Sequence, residues 1–580
     1  MIEQVTLNNF KRFRQEIFDV SGNIVLAGPN NSGKTSLLQA ISVWNLGLRK
    51  WLAERGPESG SKARKRTGVA ITRKDFTAIP LREMDLLWTD CSTALSKDDL
   101  KEGQKLGTPR ILKIEIKGNS GERNWDLSFD FTYRYPELIH VKPSEETPIE
   151  PIIQAIKDLQ VVHVPPFSGI GAEETRYDRA YQDLLIGQGK PGDILRNLLL
   201  DVYKTERDQW DNLCKDIEEI FGYRLLPPVY ESRPFIVCDY QQLSSGKGTQ
   251  RGLPKLDISC AGSGLLQVLM LLGFFYARPA SILLLDEPDA HLHVILQKQV
   301  YDRLRAVAHR ANCQLLIGTH SEVLIDNTSP ERIVSFFEHP HKLVADTERD
   351  QVREALKRLT TLDILLAEQS LGVLYVEGDS DLNLLREWSR ILNHPSQNFL
   401  NKNPFWHNNQ GRAPHEARAH FFALRAVKPD IKAVLILDGD NRQLPDHEIS
   451  ADGLTISRWK RYEAENYLLH PVALSRFVTG MAPDLFATAN ANRGLEYLRR
   501  QLPPTVYEDP LEEHEYLNVT PASKTLLPGF FSAAGFSLTK NEYYQVAAQM
   551  LPEEIPNEVR EKLDIIYNAL HIKQYMTEKD

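Results

Sequence analysis

The sequence predicts an α/β protein built as two parallel-sheet units in series, the first with a helical insertion and the second with a helical C-terminal part. Three observations predict it. The stretch Gly28–Ser36, GPNNSGKTS, fits G-x-x-x-x-G-K-[ST] at every fixed position. It lies between the apolar run Ile24–Ala27 and Leu37, Leu38, Ala40 and Ile41 at helical spacing, so it joins strand to helix. Ser281–Asp289, SILLLDEPD, reads as a buried strand ending in carboxylates. Val373–Val376 and Ala433–Leu437 are further apolar strands, each running into an acidic turn.

Each residue of the first motif has a physical task. Gly28 and Gly33 let the backbone curl with its N–H groups inward across Asn30, Asn31, Ser32 and Ser36, Lys34 reaches β- and γ-phosphates, and the Thr35 hydroxyl suits Mg²⁺. The motif is therefore read as a phosphate-binding loop for ATP.

Composition bounds the rest. The chain has 580 residues, 42% apolar and 25% charged, which is ordinary for a globular protein able to bury a sizeable core, and two domains with insertions are expected. Five cysteines without C-x-x-C spacing indicate neither a zinc site nor a disulfide framework, so the cytoplasm is the natural compartment. The start lacks the apolar core of a signal peptide and Leu265–Tyr276 is too short to span a bilayer, so no membrane is implied. A net charge of −9 argues against a uniformly basic nucleic-acid binder but leaves room for a local basic channel.

Along the chain, alternation in Ile2–Leu7 suggests a half-buried strand, and Phe18–Val20 and Ile24–Ala27 suggest further strands leading into the loop. The basic run Lys62–Arg66 is either a nucleic-acid contact or a solvated loop, and its charge pattern favours the loop. Ile111–Tyr135 is strand-like. Gly171–Phe221 is helical, with an αα insertion between Ile194 and Ile220 that suits a dimer contact. At Asp257–Gln267 a small-residue turn opens a helix, where exposed N–H groups and the Ser263 hydroxyl can meet a phosphate. In Ser281–Asp289, Asp286 is placed for the Mg²⁺ shell and Glu287 to orient the attacking water. Gln314–Ser321 is another strand ending in a polar group. His320 there is read as a γ-phosphate contact, although a lone histidine is more often structural. His291 and His293 belong to the turn after Asp289.

Taken together, Gly28–Thr35, Ser263-Gly264, Asp286-Glu287 and His320 resemble the ABC-type ATPases, in the subgroup shared with DNA-repair and chromosome-structure proteins. The resemblance implies nucleotides sandwiched between two heads, hence at least a homodimer. One departure is the lack of a glutamine loop between the phosphate loop and the Ser263-Gly264 signature.

Beyond His320 the pattern changes. Asp346–Glu368 is charged and helix-periodic, and a domain boundary is placed near Gln369. This gives a first domain over 1–345 with its insertion about 171–221, a helical linker over 346–368 and a second domain over 369–580. In the second, one strand ends in Glu377-Gly378-Asp379-Ser380-Asp381 and another in Asp438-Gly439-Asp440. Parallel sheets bind ligands at the carboxyl ends of their strands, and acids clustered there repel one another unless a divalent cation lies between them. Paired acidic turns of no such function remain the alternative. Glu377, Asp438 and Asp440 resemble the Toprim fold of topoisomerases, primases and some nucleases, in which a glutamate and a D-x-D pair hold Mg²⁺ for phosphodiester chemistry.

An ABC-type head followed by a Toprim domain is similar to the OLD (overcoming-lysogenisation-defect) family of nucleases, which includes the nuclease subunit of the Gabija anti-phage system. The resemblance rests on the motifs and their order, and least on residues 90–255 and those after Gln545. Glu377 and Asp381 match its E-x-x-x-D motif, Asp438 and Asp440 its D-x-D, and Glu465 and Lys540 its later acid and lysine. It implies a nucleotide-gated DNA endonuclease using Mg²⁺ or Mn²⁺, in bacterial defence, acting as a homodimer or higher homo-oligomer with a partner defence protein or nucleic-acid component. The competing readings are an ATP-driven DNA clamp or signalling scaffold that does not cut, and, ranked last, a topoisomerase-like strand passer.

Overall fold

The computed structural model describes residues 1–55, 68–99, 105, 107–121, 123–144, 149–231, 233–243, 254–337, 339–370, 372–401, 404–408, 415–440, 452–481 and 486–570. The basic run Lys62–Arg66 lies outside them. The chain divides into two compact units, Met1–Leu356 and Lys357–Asp580, the division falling inside the helix Asp346–Arg358, ahead of Gln369.

The first unit holds two six-stranded sheets. Strands β1 (Ile2–Phe10), β2 (Phe13–Asp19), β4 (Val69–Thr72), β5 (Leu112–Ser120), β6 (Arg123–Tyr135) and β7 (Leu138–Pro143) form an antiparallel sheet in the order β2-β1-β5-β6-β7-β4. Alternation in β5, buried at Leu112, Ile114 and Ile116, supplies one apolar face. Strands β3 (Ile24–Ala27), β8 (Val161–Val164), β12 (Ile282–Asp286), β13 (Gln314–Thr319), β14 (Ile333–Ser335) and β15 (His341–Lys342) form the second sheet in the order β15-β14-β3-β13-β12-β8. It is parallel apart from β15. Its central strands are buried on both faces, which is why they read as unbroken apolar runs.

The helix Lys34–Arg55 lies between the two sheets. Trp44 and Trp51 are fully buried in the shared core, and the Trp44 indole donates to Leu127 O at 3.0 Å. The buried amide of Gln314, at the start of β13, ties the sheets at one end. Its Oε1 accepts from Ile2 N at 2.8 Å, and its Nε2 is shared among Ile2 O, Val20 O and Gly22 O at 2.8–2.9 Å.

The expected helical insertion comprises Arg179–Gly187, Leu195–Thr205 and Arg207–Phe221, while residues 171–178 are not helical. Gly273, in the helix Ser263–Ala277, faces Leu195, Leu198 and Leu199, so the insertion is seated on that helix. A small sheet of β9 (Tyr223–Leu225), β10 (Asp239–Gln242) and β11 (Leu256–Asp257) leads into it.

The second unit contains a four-stranded parallel sheet in the order β17-β16-β18-β19, made by β16 (Gly372–Val376), β17 (Trp406–Asn408), β18 (Lys432–Leu437) and β19 (Leu454–Arg458). Helices including Asp379–Ile391, Pro471–Met481, Ala487–Gln501 and Asn557–Ala569 follow its strands and build a helical C-terminal part. Their core includes Trp388, Trp459, Tyr467 and Phe530.

Candidate functional site

In the first unit, β3 delivers the phosphate loop to the carboxyl edge of the parallel sheet. Gly33 has φ +110°, and a Cβ there would meet Phe13 Cζ at 2.6 Å, so both conformation and space demand glycine. Asn30, Asn31, Ser32, Gly33, Lys34, Thr35 and Ser36 line one cleft with Arg12 and Glu287. Lys34 is 4% exposed and donates to Gly28 O and Pro29 O, both at 2.8 Å. Burial lowers its pKa, opposed by Glu287, Asp286 and Asp289, so the ammonium is desolvated and ready to meet phosphate charge.

Neighbouring strand ends complete the cleft. The Thr35 hydroxyl donates to Asp286 Oδ1 at 3.1 Å, joining the two residues expected to share Mg²⁺. Burial, with help from Glu287 and Asp289, pushes the Asp286 carboxyl up to about 6. The donor chemistry fits: a hydroxyl and a carboxylate suit a hard cation, and its charge would favour the ionised acid. Glu287 has φ +49° and is held there by its N–H on Gly318 O at 2.8 Å. Its Oε1 lies 3.7 Å from His320 Nδ1. This close approach is the chief cause that lowers the Glu287 carboxyl and raises the His320 imidazole. Asp289 is buried and accepts from Thr319 Oγ1 at 2.6 Å, which fixes the turn after β12.

Ser263 and Gly264 do not line this cleft. Ser263 is exposed at the start of the helix Ser263–Ala277, and Gly264 packs near His291 O and Leu292. His291 and His293 are exposed members of the turn after Asp289. The missing glutamine loop has a structural counterpart: β8, on the far side of β12 from β13, exits through Val164-Pro165-Pro166 with no glutamine before the insertion. Arg12 is the residue missed by sequence reading. It belongs to the β1–β2 turn, and its guanidinium bonds to Asn31 O.

In the second unit, β16 and β18 end side by side with acids. Asp438 N donates to Glu377 Oε1 at 3.1 Å, and Asp440 is exposed one turn further on. Gly439 is not in the left-handed region. It is glycine because a Cβ would lie 2.2 Å from Arg461 O and 2.7 Å from Trp459 O. Asp381 divides its carboxylate: Oδ2 accepts from Gly378 N at 3.0 Å, capping the helix Asp379–Ile391, while Oδ1 is buried with no hydrogen-bond partner.

Glu465 and Lys540 come to the same acids from distant sequence. Glu465 is fully buried in the short turn Ala464–Leu468, where Asn466 Nδ2 donates to Leu517 O and Thr520 O, both at 2.9 Å. Arg461 is 5% exposed and bonds to Asn466 O, Pro510 O and Glu512 O, so it braces the turn that carries Glu465. Lys540 Nζ lies 3.1 Å from Glu465 Oε1 and 3.8 Å from Glu463 Oε2. Glu463 is meanwhile held by Ser523 N at 2.6 Å and Ser523 Oγ at 2.9 Å.

Electrostatics mark these groups as one cluster. Burial, then Asp381, Glu377 and Glu465, push the Asp438 carboxyl well above the carboxylate range. Burial and Glu465 raise Asp381, and burial raises Glu377 and Glu465. Lys540 is raised despite burial, because Glu465, Asp381 and Glu463 favour its charge. Buried, unpartnered carboxylate oxygens at Asp381 Oδ1 and Glu465 Oε2 fit a hard divalent cation. Among the described residues, no three such side chains already converge as a coordination shell, and Lys540 stands among them as the counter-charge.

Residues 1–45 match the family described as "AAA ATPase domain", and residues 148–326 the family described as "AAA domain, putative AbiEii toxin, Type IV TA system". The chain matches none of the curated proteins compared with it. Solved structures with some likeness are an SMC head bound to the C-winged helix domain of ScpA (17% identity, 58% of this chain, 93% of that one, TM-score 0.31) and the SMC head domain from Thermotoga maritima (12%, 59%, 99%, 0.30). A third is an Smc head with an extended coiled coil bound to the C-terminal domain of ScpA from Pyrococcus furiosus (15%, 58%, 92%, 0.32). Those likenesses are too slight to bear on the assignment. Among the described residues no helix is long and apolar enough to cross a membrane. With the phosphate loop and Glu287 around one cleft, Asp286 bonded to Thr35 beside it, and both family matches falling on the first unit, that unit is an AAA-type ATPase domain.

Proposed function

We propose that this chain is a nucleotide-gated, divalent-metal-dependent DNA endonuclease of bacterial anti-phage defence. The observation that supports it most is the electrostatic cluster of Glu377, Asp381, Asp438 and Glu465 around Lys540, beside the carboxyl ends of two parallel strands. The toxin–antitoxin setting in the description of one matched family agrees with a defence role. In this reading Glu377, Asp381, Asp438, Asp440 and Glu465 hold Mg²⁺ or Mn²⁺, which when bound supplies an activated water and charge stabilisation at the scissile phosphodiester. Asp438 gives up its proton as the site fills. Glu377 steadies the D-G-D turn through Asp438 N, and Lys540 turns from the acids toward charge developing on the phosphate. In the first unit Lys34 binds ATP phosphates, Thr35 and Asp286 hold Mg²⁺, Glu287 orients the attacking water and His320 contacts the γ-phosphate. Ser263 and Gly264 meet the nucleotide of a second copy, making the enzyme a homodimer or higher homo-oligomer, with DNA as substrate and room for a defence partner.

One observation favours the scaffold reading instead: the acids do not converge as they stand among the described residues. A paired assay on one preparation separates the two, with plasmid nicking in Mg²⁺ or Mn²⁺ beside phosphate release from ATP. Asp438→Ala, Asp440→Ala and Glu377→Ala should abolish nicking while ATP hydrolysis survives at a similar rate. Intact nicking in all three refutes the metal assignment, and a parent protein that cuts no DNA with either metal hands the function to the scaffold.

A further inference from the structure

Lys540 has two acidic neighbours, and the fold treats them differently. Its ammonium lies 3.1 Å from Glu465 Oε1 and 3.8 Å from Glu463 Oε2. Glu463 is locked: Oε1 accepts from Ser523 N at 2.6 Å and Oε2 from Ser523 Oγ at 2.9 Å, so both oxygens are held and the carboxylate keeps one orientation. The frame behind it is fixed as well. Asn466 N donates to Glu463 O at 3.1 Å, and Asn466 Oδ1 accepts from Ala522 N at 3.2 Å, which ties the turn Ala464–Leu468 to the segment that carries Ser523. Glu465, by contrast, is fully buried with Oε2 lacking a hydrogen-bond partner. One acid is free to turn to a cation and the other is not.

The lysine is a mobile head on an anchored base. Glu542 Oε2 accepts from Thr539 N at 2.8 Å and from Thr539 Oγ1 at 2.7 Å, and Tyr543 is buried, so the backbone is held on both sides of Lys540. Its side chain is 45% exposed, against 5% for Glu463 and 0% for Glu465. The ammonium now answers the charge of the buried acids, and it would be repelled by any divalent cation held among them. A flexible stem with a path to solvent then carries the charge away unless a second anion keeps it. Glu463 stands where it can do so. An ammonium has three donors, so it can stay on Glu463 and still reach a phosphate oxygen.

We propose that Glu463 is the positioning residue for Lys540: as Glu465 turns to the metal, the lysine pivots on the Ser523-clamped carboxylate of Glu463 and stays at the rim of the acid cluster, directed at the scissile phosphate. This rests on the metal-dependent nuclease reading and adds to it a residue that holds no metal and touches no substrate.

The test is Glu463→Gln, which keeps the shape, can still bond Ser523 and removes the charge. The full chain is treated with an amine-acylating reagent, with and without saturating Mg²⁺, and modification of Lys540 is read by mass spectrometry. Mg²⁺ should leave Lys540 labelling within about twofold in the parent and raise it about fivefold or more in the variant, the order expected for a lost ion pair. A merely structural role for Glu463 would not make this difference depend on Mg²⁺. Nicking by the variant should fall about tenfold or more, with Mg²⁺ half-saturation within about threefold of the parent's, as for a misplaced group beside an intact metal site. Ser523→Ala, which loosens the carboxylate and keeps its charge, is the second variant and should move both readouts the same way by less. Calorimetric titration with Mn²⁺ separates the two readings. A parent with no Mn²⁺ site that Asp438→Ala removes overturns the metal assignment and this proposal with it. Where that site is present, equal Lys540 labelling in parent and Glu463→Gln, or equal nicking, overturns the pivot alone. Labelling as expected in a parent that binds Mn²⁺ and never nicks supports the pivot and refutes the nuclease.

Discussion

Replacing Gly439 by alanine tests how the acidic turn is built. The added Cβ would lie 2.2 Å from Arg461 O and 2.7 Å from Trp459 O, both backbone atoms and both nearer than carbon and oxygen can stand. Neither can rotate away as a side chain would. Arg461 is anchored through Asn466 O, Pro510 O and Glu512 O, and Trp459 N is bonded to Leu437 O at 2.9 Å. The strain of such overpacking is typically about 1–3 kcal/mol. For a unit the size of Lys357–Asp580 each kcal/mol lowers the midpoint by roughly 2–4 °C, so Gly439→Ala should unfold the second unit about 4–8 °C earlier for a cost near the middle of that range. Calorimetric scanning of the full chain measures it, with ATP binding as the control on the first unit. Relief by shifting the turn displaces Asp438 and Asp440, so nicking should fall even in the folded variant. A thermal profile and nicking rate equal to the parent's would refute the close approach as the reason for glycine.

Lys34→Ala should lose ATP binding while Glu287→Gln retains it and loses hydrolysis, since only the lysine meets ground-state phosphate charge; normal binding by both in a calorimetric titration would displace Lys34 from the site. ATP should raise the solution mass of Glu287→Gln to that of a dimer, because Ser263 and Gly264 lie off their own cleft; a monomer with and without ATP counts against a shared site. Asp438 and Asp381 have raised folded-state pKa values, so the native chain holds protons that the unfolded chain has released, and stability falls as pH rises from the ordinary carboxylate range, about 4, through neutrality. Mg²⁺ or Mn²⁺ should therefore stabilise the second unit more at pH 8 than at pH 5, and equal shifts at both would argue against these acids as the ligands.

What the sequence determined by itself is what lies contiguous in it. The phosphate loop, the strand running into Asp286 and Glu287, and the two acidic strand ends of the second unit were legible because motif and strand–turn geometry are local, and unbroken apolar runs announce a sheet buried on both faces. Packing decided the remainder. Arg12 reaches the phosphate loop only because the β1–β2 turn folds over it, and the indole of Trp44 and the amide of Gln314 join two sheets whose strands alternate along the chain. The helical insertion was readable as helices, but its seating on the helix Ser263–Ala277 depends on a glycine facing three leucines of another helix. Glu465 and Lys540, distant in sequence, meet at 3.1 Å in a buried cluster, and the pKa values that make the cluster notable arise from burial and mutual charge, which exist only once the chain has folded.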